Sequence, residues 1–118
     1  MGTFRAEIMI GGLNRERWET LDALVDTGAS ITAAPASLLQ GIGVEPLRYQ
    51  AFKLASGEVR EMAIGQAWVQ VDGREIITLV LFNEEGSTPL LGALALEGAF
   101  LGVDPVEQRL VPVDGWLA

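Results

Sequence analysis

The residues best equipped for chemistry stand together in Ala23-Leu24-Val25-Asp26-Thr27-Gly28-Ala29-Ser30, an apolar run that ends on an acid, two hydroxyls and a glycine. Burying an ionised carboxylate at the end of a hydrophobic strand costs several kcal/mol unless it is paired or takes up a proton, so its presence needs a reason. Gly28 lets the backbone approach another group closely or adopt positive φ, and Thr27 and Ser30 offer hydroxyls for a network around the acid. Asp and Gly are also ordinary turn formers, and three residues recur by chance, so the tripeptide counts only through its setting.

The chemistry open to the chain is narrow. With no His and no Cys, Ser-His and Cys-His nucleophile pairs, thiolate chemistry, disulfides and His- or Cys-based zinc sites are all excluded. Carboxylate acid–base catalysis leads, with a hard-cation site on oxygen ligands as the other option. Glu84-Glu85 lacks a third oxygen ligand nearby in sequence and reads as a solvated loop rather than a metal site.

These residues must be positioned by short extended segments. Phe4 to Ile10 alternates as a strand, Gly11-Gly12-Leu13-Asn14 supplies a turn, and Trp18 to Val25 returns to deliver Asp26. Ile31 to Ala34 is apolar enough to re-enter a sheet before Pro35, and Ala36 to Gln40 suits one helical turn. Tyr49 to Leu54 and Val59 to Val71 flank a polar turn at Ala55-Ser56-Gly57-Glu58, with Gly65 expected at a bulge. Asp72-Gly73 marks a type I′ hairpin into Ile76 to Phe82. Thr88 to Leu91 reads as extended, and Gly92 leads into a short helix, Ala93 to Glu97, that Gly98 can cap. Phe100 to Val103 and Arg109 to Val113 flank Asp104-Pro105-Val106-Glu107 as a last hairpin. Many short strands at regular turn spacing predict an all-β, closed or nearly closed β structure, with one real helix near the C-terminus.

The chain's 118 residues suit one domain, and its net charge of −8 with scattered Arg and Lys argues against nucleic acid as a partner. The N-terminus lacks an apolar signal core, and the longest uncharged run, Thr27 to Val44, carries Pro35 and three Gly, so neither a leader nor a membrane span is expected. A soluble, cytoplasmic protein is the default expectation. Trp18, Trp68 and Trp116 are assigned to packing.

Four stretches together make the chain resemble a retroviral-type (retropepsin-like, clan AA) aspartic protease, closest to the small soluble bacterial members. They are Ala23 to Ser30, the hairpin about Lys53 to Met62, Pro89-Leu90-Leu91-Gly92, and Gly102 to Pro112. The resemblance implies a closed retropepsin-like barrel over residues 1–118, with catalytic Asp26, Thr27 bracing a partner across a dimer axis, and Gly28 presenting its backbone to substrate. It further implies substrate contacts from Ala29 and Ser30 and from a flap at Ala55, Ser56, Gly57 and Glu58. Ser30 stands where many viral members have a second Asp, and the turn at Ser56-Gly57-Glu58 is more polar than a viral flap.

Peptide hydrolysis by carboxylates needs one acid protonated and one ionised around a water, which arises when two Asp lie about 3 Å apart. The stretch offers one such Asp, and a two-fold homodimer supplies its image. The expected activity is therefore an aspartic endopeptidase acting on peptide or protein substrates, with no cofactor and no metal. The rival expectations are a catalytically inactive peptide-binding or dimerisation module of the same fold, and a soluble β-barrel for a small ligand.

Overall fold

The computed structural model describes residues 3–117. The order is β1 (Phe4–Gly11), β2 (Trp18–Val25), β3 (Thr32–Pro35), α1 (Ala36–Gly41), β4 (Arg48–Lys53), β5 (Val59–Val71), β6 (Arg74–Asn83), β7 (Leu90–Leu91), α2 (Ala93–Ala99), β8 (Leu101–Asp104) and β9 (Arg109–Pro112). Among these residues no helix is long and apolar enough to cross a membrane.

Seven strands form one sheet in the order β1-β2-β7-β3-β6-β5-β4, with a further antiparallel pairing of Ile8–Gly11 in β1 to Trp68–Val71 in β5. The expectation of an all-β closed barrel with one short C-terminal helix is corrected here. Strand β4 pairs only with β5 and leaves the sheet with a free edge, β8 and β9 pair in a separate two-stranded sheet, and a second helix, α1, follows β3. Strand count and turn spacing reveal how many segments are extended, but not which edges find partners.

The turns follow local chemistry. Asp72 and Gly73 take φ of 51° and 78°, the left-handed pair of a type I′ turn, and set the long β5–β6 ladder from Ile64↔Leu81 to Val71↔Arg74. Gly65 sits within that ladder opposite Val80 and is no bulge. It is glycine because a Cβ there would lie 2.8 Å from the Glu45 carbonyl oxygen. Helix α2 runs past Gly98 to Ala99 and closes on Phe100 at φ 56°, with Arg74 Nη1 donating to the carbonyls of Ala99 (2.8 Å) and Phe100 (3.0 Å).

The core joins the inner faces of the sheet to both helices. Ile8, Ile10, Val25, Val69, Val71, Val80 and Leu91 pack with Leu39 of α1 and Ala95, Leu96 and Ala99 of α2. Arg15 lies 4.4 Å from the Trp68 ring centroid and 5.2 Å from that of Trp18, and pairs with Glu75 at 2.9 Å. The two rings thus pack where β1, β2 and β5 meet. Trp116 is 93% exposed, against the packing role expected of it.

Candidate active site

Asp26 is the first residue beyond β2, and the loop that carries it is fixed by β7. That two-residue strand lies between β2 and β3, parallel to the first (Leu24↔Leu90, Val25↔Leu91) and antiparallel to the second (Ala33↔Leu90). The Asp26 amide donates to Leu91 O at 3.0 Å and Leu24 N to Pro89 O at 2.8 Å, so the backbone on both sides of Val25 is held.

The far side of the loop is held by α2. A helix leaves its first N–H groups without intrahelical partners, and a helix opening on Gly92 has no side-chain cap for them. The loop supplies the acceptors: Ala93 N donates to Ala29 O at 2.8 Å and Leu94 N to Ser30 O at 3.1 Å. Between these contacts the Gly92 amide donates to the buried Thr32 Oγ1 at 3.2 Å. Beside Thr27 and Ser30, the hydroxyls expected around the acid, the hydroxyl bonded into the frame that holds the loop is that of Thr32. Its signal is a polar residue opening the apolar run Thr32-Ala33-Ala34, where a buried hydroxyl requires a donor.

Within this frame Asp26 is half-buried, and its Oδ1 accepts the Gly28 amide at 3.0 Å, while its carbonyl accepts Ala29 N at 3.1 Å. Gly28 crowds the acid: a Cβ there would lie 3.2 Å from Oδ1. Asp26 has no ion pair among the described residues. Thr27, Gly28 and Ser30 are exposed and Ala29 is half-buried.

A cleft of about 610 Å³ opens beside the loop. Gly28, Ala29 and Ser30 form one wall and β4 the other, over an apolar floor that includes Ile31, Met62, Ile64, Leu79, Leu81 and Leu90. The floor residues were not singled out in the sequence, although apolar pairs two positions apart, Met62 and Ile64 in β5 and Leu79 and Leu81 in β6, are their signal. Asp26 and Thr27 stand at the end of this cleft's loop wall and are not among its lining residues.

The β4–β5 hairpin continues from the far wall. Its tip is closed by Leu54 N to Glu58 O and Gly57 N to Leu54 O, both 2.8 Å, with Gly57 at φ 91°. Ala55, Ser56, Gly57 and Glu58 are all exposed at the tip and do not line the cleft, whereas Lys53 and Leu54 do. Beside the tip Arg60 bonds Glu58 at 3.3 Å and also pairs with Glu84 in the β6–β7 connection. The neighbouring Glu85 reaches α1, accepting from both Ser37 N (2.9 Å) and Ser37 Oγ. The Ser37 hydroxyl, then its amide, hold the Glu85 carboxyl below its ordinary value. Glu84-Glu85 is thus a clamp between hairpin and helix, and among the described residues no three acidic side chains converge to hold a metal.

The geometry has counterparts among solved structures. The solution structure of Simian Foamy Virus (mac) protease is similar, with a TM-score of 0.57 at 22% identity over 80% of this chain and 92% of that one. EIAV protease complexed with the inhibitor HBY-793 gives a TM-score of 0.57 at 18% identity, over 93% of each chain. At these identities the likeness is one of fold. No curated protein matches the sequence. The family model described as "gag-polyprotein putative aspartyl protease" matches residues 15–98, a stretch that contains the Asp26 loop, the β4–β5 hairpin, β7 and most of α2. The chain belongs to that aspartyl protease family.

Proposed function

We propose that the chain is an aspartic endopeptidase, that residues 1–118 act as one domain carrying half of the site, and that Asp26 from each of two copies forms the catalytic pair. The observation that carries this reading is the state of Asp26: a half-buried acid without a cation partner among the described residues, on a loop clamped from both sides beside a peptide-sized cleft. Membership of the aspartyl protease family supports it.

The chemistry follows from pairing. Two carboxylates about 3 Å apart cannot both ionise, so the pair holds one proton. The ionised Asp26 takes a proton from the water that attacks the scissile carbonyl, while its protonated image donates to the carbonyl oxygen; the C–N bond then breaks as the amine takes the proton Asp26 accepted, and the image recovers its own. Thr27, exposed in the single chain, is assigned to bracing the partner loop, and Gly28 to presenting its backbone to the peptide. Ala29 and Ser30 would bind the peptide from the loop side, and Ala55, Ser56, Gly57 and Glu58 would close on it from the hairpin tip. A two-fold axis beside Asp26 makes every one of these contacts twice.

The test is cleavage of a peptide library by the purified chain at mildly acidic and neutral pH, beside Asp26→Asn. The expected loss in the variant is roughly 10²- to 10⁴-fold, the usual contribution of acid–base groups. Equal cleavage by the variant, or a chain that sediments as a monomer at high concentration, overturns the reading. Binding of peptides with no cleavage by the wild type would point to the inactive module instead.

A further inference from the structure

The β4–β5 hairpin reaches beyond the sheet that carries it. The β5–β6 ladder ends at Ile64↔Leu81, so the Val59 to Ala63 part of β5 pairs only with Tyr49 to Lys53 of β4. Met62 is buried and Ala63 packs against the core, but none of residues 51–61 is buried. A two-stranded hairpin is at best marginally stable alone in water, so its position depends on what ties it to the body. Among the described residues one side chain supplies that tie. Arg60 reaches out of the hairpin to pair with Glu84, whereas the other hydrogen bonds and ion pairs of residues 51–61 stay within it.

The anchor at Glu84 is itself fixed. Its carbonyl accepts Ser87 N at 3.2 Å and Ser87 Oγ at 2.5 Å, its amide donates to Asn83 Oδ1 at 2.9 Å, and Ser37 of α1 holds the adjacent Glu85. The same connection runs on through Pro89, whose carbonyl accepts Leu24 N, into β7. Glu84 thus belongs to the segment that frames the Asp26 loop, and Arg60 ties the hairpin to that segment.

We propose that Arg60 is a positioning residue: through Glu84 it holds the hairpin tip in place relative to the Asp26 loop, so that a peptide meets a hairpin already in position. The inference rests on the peptidase reading and concerns the tip assigned there to close on the peptide. An exposed ion pair is modest in strength, but this one acts on a segment with few other ties. Without it, binding must also order the hairpin, so KM rises while the chemical step at Asp26 keeps its kcat. In a two-fold dimer each copy carries its own tie, and both hairpins respond alike.

The experiment compares the wild type with R60Q, E84Q and R60K. Amide exchange is read by mass spectrometry, and steady-state kinetics are measured on one peptide that the wild type cleaves. R60Q and E84Q are each expected to speed exchange across residues 51–61 by roughly two- to fivefold, the scale of an exposed ion pair, and to raise KM by a similar factor with kcat unchanged. Exchange in the β5–β6 ladder beyond Ile64 should stay as in the wild type, and R60K, which keeps the charge, should restore most of the loss. In about 1 M salt the wild-type hairpin should exchange as fast as that of R60Q. Unchanged hairpin exchange in R60Q and E84Q, or a fall in kcat with KM unmoved, overturns the inference and leaves the peptidase reading standing. Faster exchange spread through the ladder does the same, because it marks a general loss of stability. Faster exchange confined to the hairpin, in a chain whose wild type cleaves no peptide, sustains the tie and overturns the peptidase reading.

Discussion

Replacing Gly92 by Ala tests whether the crossing of β7 with the Asp26 loop is as close as it looks. Gly92 has φ −94° and ψ 176°, an extended conformation open to any residue, so backbone freedom does not explain the glycine. Space does. A Cβ there would lie 2.5 Å from Ile31 C, 2.6 Å from Ile31 O and 2.9 Å from Ile31 Cα, against about 3.5–4.0 Å for an unstrained carbon contact. All three atoms are backbone, and the neighbouring carbonyls of Ala29 and Ser30 are tied to α2, so neither side gives way by rotating a side chain. Overpacking of this kind costs about 1–3 kcal/mol. A shift of about 1 Å also breaks the 3.2 Å bond from Gly92 N to Thr32 Oγ1 and leaves a buried donor, for about 1–3 kcal/mol more. Against this stands about 0.4–1 kcal/mol gained by restricting the unfolded chain. The net expectation is a loss of about 3 kcal/mol, read by urea unfolding at fixed protein concentration, because any dimer makes stability depend on concentration. Gly41→Ala is the control: nothing lies within 4 Å of its Cβ position, and it should stay within about 1 kcal/mol of the wild type. If Gly92→Ala unfolds within about 0.5 kcal/mol of the wild type, the crossing is not rigid and the account of how Asp26 is held fails.

Two further outcomes follow from side chains around this frame. Thr78 is 6% exposed and its Oγ1 has no hydrogen-bond partner among the described residues, so Thr78→Val should raise stability by about 1 kcal/mol; a loss of that size in thermal unfolding would contradict it. Glu85 has its carboxyl held below the ordinary value of 4.5 by Ser37, so its tie to α1 is fully present above that value and is lost as pH falls through the lowered one. Ser37→Ala should bring the Glu85 carboxyl back up toward 4.5 in an NMR titration, and an unchanged midpoint would remove the hydroxyl from the explanation.

What the sequence made legible was local. Asp72-Gly73 specifies its turn by the φ that those two residues tolerate, and the Ala23-to-Ser30 stretch marks the Asp26 loop by setting polar residues at the end of an apolar run. What escaped depends on partners remote in the chain. Thr88 to Leu91 reads as extended, as β7 is, but nothing in it says that the strand will lie between β2 and β3, and nothing near Thr32 announces that its hydroxyl will meet Gly92. Gly98 looked like the stop of α2, but the end is set by Arg74 reaching across from β6. The closed barrel failed for the same reason, since the free edge of β4 and the separation of β8–β9 are properties of pairing.

The insertion of β7 between β2 and β3 also fixes an order of events in the life of the molecule. Asp26 belongs to the first quarter of the chain, but the strand and helix that immobilise its loop are supplied by Leu90 to Leu94. During synthesis the acid therefore emerges long before its support, and the contacts that set its position are among those with the greatest separation along the chain, which form slowly. A chain under synthesis carries the chemical group without the geometry. The loop that carries the acid is complete only once Leu90 to Leu94 have been made and can fold onto it.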